Sequence, residues 1–288
     1  MSADIKGMID SYAEYLRLNY PVNFDRFALL LTSNPEGALA EAIVFGFLQS
    51  LHLSPEIHDQ VGKGGPDFIC AGSTLSFAMR RLVPPGPEDR FVVEATSLDL
   101  DAVTNRSGLP NEEPRDMQGS PFSLITRSIC NKVKDKTPQL GGHRMPRVLA
   151  VACNHPLVGT ILNADAARFV LTSNPKIIVE IGSEGPGSEC TDLRDSAFLK
   201  INRDGRAVVP RRQTVSAVLL IAVYGNHSEV YGILHPELAH RLNTGFFPKV
   251  PFVRLAMWPV VDGLISTEWV ISDPEGLRVD HWPVRTKP

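Results

Sequence analysis

The 288-residue chain reads as an α/β protein with extra strands and hairpins toward its C-terminus. Three observations carry this. Apolar segments of strand length, Phe68–Cys70, Phe91–Val93 and Val148–Cys153, are bounded by Gly, Pro or charge. Between and before them lie two helical stretches, each opened by a capping residue and a proline, Asn34-Pro35 and Ser120-Pro121. Hairpin signals then crowd the second half, with Asp204-Gly205 and Gly225-Asn226 between apolar runs.

Taken in order, residues 4 to 19 place Ile5, Met8, Ile9, Tyr12, Tyr15 and Leu16 at helical spacing, and Pro21 ends that helix. From Asn34 a second helix runs to about Leu51 and is apolar on nearly every side, the pattern of a buried helix. Glu41 lies within that apolar surface. Residues 54 to 61 read as a first strand, followed by G-K-G-G-P-D-F-I-C-A, a further strand over Thr74–Met79, a proline-rich loop, and R-F-V-V-E-A-T-S-L. The polar connection from Asp99 to Gly119 leads to a helix from Phe122 to about Lys136 and then to Arg147, which opens a central strand. Beyond it, Asp165 to Leu171 reads as helix, Ile177 to Ile181 as strand and residues 182–192 as loop. Two hairpins follow, Phe198–Ile201 with Ala207–Val209 and Val215–Tyr224 with Glu229–Leu234, and a tail with Trp258, Trp269 and Trp282 that wraps the body. The reading divides the chain into a helical extension (1–33), a core (34–153) and a C-terminal α/β elaboration packed on the same domain (154–288).

Charge and cysteine usage narrow the function. A net charge of -3 gives no global basic field, so a nucleic-acid surface has to be local. The four cysteines are scattered without a C-x-x-C, which suits a reducing cytoplasm. The start of the chain has no apolar signal core, and no apolar run has the length of a membrane span, so a soluble cytoplasmic protein is expected. His235 and His240 flank Glu237, but a five-residue spacing does not put two histidines on one helix face.

Asp67 and Glu94 stand out because each is a single carboxylate in an apolar strand, where an unpaired ion costs several kcal/mol. Side chains two apart share a strand face, so Thr96 points the way Glu94 does. On the helix from Phe122, Lys132 and Lys136 fall within roughly 20° of Ile125 on the apolar side. Around it, Arg127, Lys134, Arg144 and Arg147 make a local basic cluster with a single acid, Asp135.

The order Pro66-Asp67, a spacer, then Glu94-x-Thr96 resembles the PD-(D/E)XK motif of the restriction-endonuclease-like nuclease superfamily. So does the succession of helix (Glu41), strand, strand (Asp67), strand (Glu94), helix (Lys132) and strand (Val148), over residues 34 to 153. The resemblance implies a restriction-endonuclease-like core, a central mixed β-sheet flanked by helices, and a nuclease acting on DNA. It further implies that Asp67, Glu94 and Glu41 hold Mg²⁺ or Mn²⁺, hard cations that oxygen ligands select, and that Arg127, Lys134, Arg144 and Arg147 meet the nucleic-acid backbone. Thr96 stands where the superfamily usually has lysine and carries no charge. Lys132, with Lys136 second, is the expected substitute. Two other readings stay open: a catalytically inactive nuclease-like subunit that binds nucleic acid or protein, and an unrelated α/β enzyme with structural acids. No membrane partner is expected, and a homo-oligomer is left open.

Overall fold

The computed structural model describes residues 5–58, 65–72, 86, 89–98, 121–173, 175–178, 188–191, 193–204, 207–224, 227–237, 240–260, 265–273 and 276–280. The strand expected over Thr74–Met79, the Ser120 cap and Trp282 lie outside those residues.

Three helices lead the chain: α1 (Ile5–Asn19), α2 (Pro21–Ser33) and α3 (Pro35–Ser50). Pro21 stops α1 and also occupies the first turn of α2, because its fixed φ suits a helix start and its missing N–H is one no helix start uses. The sequence reading assigned it only the first role. Asn34 Oδ1 accepts from Gly37 N at 3.0 Å, so the expected cap of α3 is formed.

The strands of the first half are β1 (Glu56–Ile57), β2 (Phe68–Ala71), β3 (Arg90–Ser97) and β4 (Arg147–Cys153), with α4 (Pro121–Lys136) between the last two. The helices α5 (Pro156–Ile161) and α6 (Ala164–Thr172) follow. Next come β5 (Pro175–Ile178), β6 (Ser188–Thr191), β7 (Leu199–Ile201), β8 (Val208–Pro210), β9 (Ala217–Tyr224) and β10 (His227–Leu234). The chain ends on β11 (Pro251–Leu255), β12 (Thr267–Asp273) and β13 (Gly276–Asp280).

Nine of these strands form one mixed sheet in the order β1-β2-β3-β4-β9-β10-β11-β12-β13. The β3–β4, β4–β9 and β10–β11 pairs are parallel and the rest antiparallel. Helices cover both faces, so the central strands are apolar on both sides and β4 is buried at every position. On one face Phe45 of α3 and Tyr12 of α1 pack with Phe68, Val93, Val148 and Leu219. On the other, Ile129 and Val133 of α4 pack with Val92, Leu149, Val151 and Val218.

Two expectations for the second half need correction. Residues 188–191, expected in a loop, form β6 and pair antiparallel with β5, since extended chain beside a free edge gains the ladder hydrogen bonds. The tail was expected to wrap the body, and its described part instead continues the sheet as β12 and β13, with Trp269 buried on β12.

Candidate functional site

The β2–β3 register pairs Phe68 with Val93, and continuing it by one residue sets Asp67 across from Glu94. Asp67 follows Gly65, whose φ of 130° is open to glycine and strained for other residues. The turn brings Asp67 Oδ2 to the Ala95 N–H, from which it accepts at 2.7 Å. Glu94 is 3% exposed and shares its strand face with Val92 and Thr96, the face covered by α4. From the last residue of α4, Lys136 Nζ donates to Glu94 Oε1 at 2.6 Å and to Gln139 Oε1 at 2.9 Å.

Asp67 is half-buried as a residue, but its carboxyl is pushed up to about 8, first by burial and next by the Glu94 carboxylate. The Ala95 N–H, Lys136 and Arg26 act the other way. Two acids this close do not ionise together without nearby positive charge.

Glu41 lies on the opposite side of the sheet from α4, on α3 against α1 and α2. It is buried, accepts from Tyr12 Oη at 3.3 Å, and pairs with Arg26 Nη2 at 3.3 Å. The Tyr12 phenol is pushed well above its ordinary range by burial, then by Glu41 and then by Asp67. Tyr12 and Arg26 therefore both feel Glu41 and Asp67, and they link the two acids. Sequence reasoning missed both residues. Tyr12 was counted only as an apolar position of α1, whereas Arg26, the one basic residue of α2, was a signal left unread. Glu41 does not complete a three-ligand set with Asp67 and Glu94: among the described residues no group of three His, Cys, Asp or Glu is arranged to hold a metal ion.

The remaining residues singled out by sequence are dispersed. Lys132 is half-buried and makes no hydrogen bond or ion pair with the acids among the described residues, so Lys136 is the lysine brought to them. Thr96 is buried beside Val151 of β4. Arg127 pairs with Asp195 at 3.3 Å, and Lys134 and Arg144 are exposed. Arg147 is buried, donating to the Thr214 carbonyl at 3.0 Å and to the His143 carbonyl. His235 is a structural histidine, its Nε2 2.9 Å from the Arg211 carbonyl and its Nδ1 accepting from Glu237 N at 3.0 Å.

Asp67 and Glu94 supply two carboxylates, a number with which Mg²⁺ is commonly bound beside water and phosphate oxygens. Burial first and the Glu94 charge second keep a proton on Asp67, and added positive charge there would oppose both. Among the described residues no helix is long and apolar enough to cross a membrane. No protein-family model, no curated protein and no solved structure matches the chain.

Proposed function

We propose that this protein is a metal-dependent phosphodiester hydrolase, a nuclease acting on DNA, with Asp67, Glu94 and Lys136 as its working residues. One observation carries the reading: Asp67, just ahead of β2, falls opposite the buried Glu94 when the β2–β3 register is continued, its carboxyl raised first by burial and then by Glu94, with the Lys136 ammonium on Glu94. DNA rather than RNA follows only from the motif resemblance. Asp67 and Glu94 would hold the Mg²⁺ or Mn²⁺. When bound, such an ion neutralises charge on the phosphate and acidifies a water. Lys136 supplies what Thr96 cannot, a cation that turns the attacking water and offsets the phosphoryl charge. Arg26 and Tyr12 hold Glu41, and Arg26 also acts on the Asp67 carboxyl, so these residues contribute to the electrostatic setting rather than touching substrate.

Incubation of the purified chain with single- and double-stranded DNA and RNA, with Mg²⁺ or Mn²⁺ against EDTA, tests the proposal. Metal-dependent cleavage lost in Asp67→Ala is expected. Intact substrates under every condition, or cleavage that survives the substitution, overturn it.

The 2.6 Å Lys136–Glu94 contact favours a second reading, in which the ammonium takes the cation's place for good and the fold serves as a binding subunit. Calorimetric titration with Mn²⁺ separates the two, because the hydrolase binds saturably through Asp67 and Glu94 and the subunit does not.

A further inference from the structure

Away from the acids, on the other flank of α4, the connection from β8 to β9 gathers arginine in an unusual way. Arg211 Nη2 donates to the Arg194 carbonyl at 3.3 Å, and Arg212 Nη1 donates to the Ala197 carbonyl. Arg212 has a φ of 57°, left-handed backbone that a non-glycine residue adopts at a cost. Cys130 of α4 closes the corner, its thiol donating to the Asp195 carbonyl at 2.6 Å. Asp195 in turn carries Arg127 on its carboxylate.

Arg212, Arg211 and Arg127 thus all lie within electrostatic reach of Cys130, and Asp195 pairs with the last of them. Burial lowers both Arg211 and Arg212, and the positive charge of Arg211 lowers Arg212 further, to about 10. The opposing influences, Cys130 and then Asp195 at Arg211, and Cys130 and then Asp135 at Arg212, do not offset that. The donors are also incompletely used. The Nε of Arg211 is buried and meets no acceptor among the described residues, and neither does the buried hydroxyl of Thr214 three residues on. A structural strap explains the bonds to the two carbonyls. It does not explain a second like charge beside the first, held on strained backbone with a buried N–H left over.

We propose that the Arg211–Arg212 corner, completed by Arg127 of α4, is a binding site for a phosphate group. The carbonyl bonds hold two guanidinium groups in place before the ligand arrives, so little side-chain entropy is lost on binding. A phosphate offers acceptor oxygens on several sides to guanidinium donors, the Arg211 Nε–H among them, and its charge removes the mutual repulsion. The site is separate from Asp67 and Glu94 and does not rest on the nuclease reading. A nucleic-acid backbone and a free or terminal phosphate present the same group.

The test is calorimetry of the full chain in EDTA, titrated with inorganic phosphate against chloride at matched ionic strength. Saturable phosphate binding is expected. Arg211→Gln should weaken it about tenfold, and Arg211→Lys, which keeps the charge but not the fork, should weaken it several-fold. Arg211→Gln should leave Mn²⁺ binding at Asp67 and Glu94 unchanged, so this proposal and the hydrolase reading fail separately. Should Arg211→Gln not fold, the exposed Arg127→Gln serves in its place, with a loss of about threefold. A duplex without terminal phosphates that competes for the site marks the ligand as phosphodiester backbone. Competition only by 5′-phosphorylated species marks it as a terminal or free phosphate. No saturable phosphate heat, or unchanged affinity in the folded arginine variants, overturns the proposal.

Discussion

Two buried glutamates sit near opposite ends of the same sheet, and each has a cation within 2.6 Å. Glu268 on β12 pairs with Arg254, the residue directly across from it on β11, so acid and base are both supplied by the ladder itself. Glu94 on β3 faces another acid across the ladder, and its cation comes from a helix end. The first arrangement is self-neutralising and needs nothing further. The second puts two acids against one lysine and holds one proton that a metal ion would displace. A buried carboxylate is therefore ordinary in this sheet, and the acid facing it is what distinguishes the site.

The largest effect expected from this contrast is on catalysis. Asp67→Ala or Glu94→Gln should cut metal-dependent cleavage by roughly a thousand-fold, about 4 kcal/mol of transition-state stabilisation. Glu268→Gln should leave the rate within a few-fold and cost about 1 kcal/mol of stability, because Arg254 is half-exposed and water takes over its solvation. Rates measured on one labelled duplex, beside chemical melts, compare the two ends. Equal losses at both would erase the distinction.

Lys136→Met comes next. It removes the ammonium bonded to the Glu94 carboxylate, whose side chain is 4% exposed, so the metal-free protein should lose about 2 kcal/mol, below what a fully broken buried pair costs. Added Mn²⁺ should restore much of the melting temperature, since a divalent ion replaces the missing ammonium, while cleavage stays about a hundred-fold down. A melting temperature indifferent to Mn²⁺ would move Glu94 into the same class as Glu268. Lys132→Met, by contrast, should change neither quantity appreciably.

The proton on Asp67 gives the site a pH signature of its own. The native carboxyl keeps its proton up to about 8, whereas the unfolded chain loses it near 3.8. Between those limits the native state binds more protons, so the metal-free protein should lose stability as pH rises, by at most about 1.4 kcal/mol per pH unit. Asp67→Asn should flatten that slope, and Mn²⁺ binding should release a proton below about pH 8 and tighten as pH rises toward it. Denaturant melts from pH 5 to 9, with and without Mn²⁺, measure both.

Much of this architecture was legible from local chemistry. The Asn34-Pro35 cap, the apolar run to Cys153 and the apolar run Val215–Tyr224 each dictate their element with little help from the rest of the chain. Asp67 and Glu94 were legible as exceptions to an apolar pattern. Lys136 ranked below Lys132 because the two are nearly equivalent on the helix wheel, and only the position of the helix end against β3 separates them. Tyr12 and Arg26 were not legible for a different reason. Their role depends on α1 and α2 folding over α3, and nothing within either helix records that meeting.

Tyr12 supplies the smallest expected effect and the finest test of the comparison. Its ring packs on Phe27 and Phe45, with centroids 4.8 Å away in each case, and its hydroxyl donates to Glu41. Tyr12→Phe keeps the packing and deletes one hydrogen bond to a charged acceptor that Arg26 still neutralises, so the loss should be about 1 kcal/mol. If Glu41 only braces the fold, as Glu268 does, cleavage should be unaffected and the pH slope assigned to Asp67 unchanged. If it sets the electrostatics of Asp67, the Glu41 charge, with one hydrogen bond fewer and Arg26 still paired to it, should favour the protonated carboxyl and shift the midpoint of Mn²⁺ binding to higher pH. We expect the second outcome, because burial has drawn Tyr12 within electrostatic reach of both acids at once.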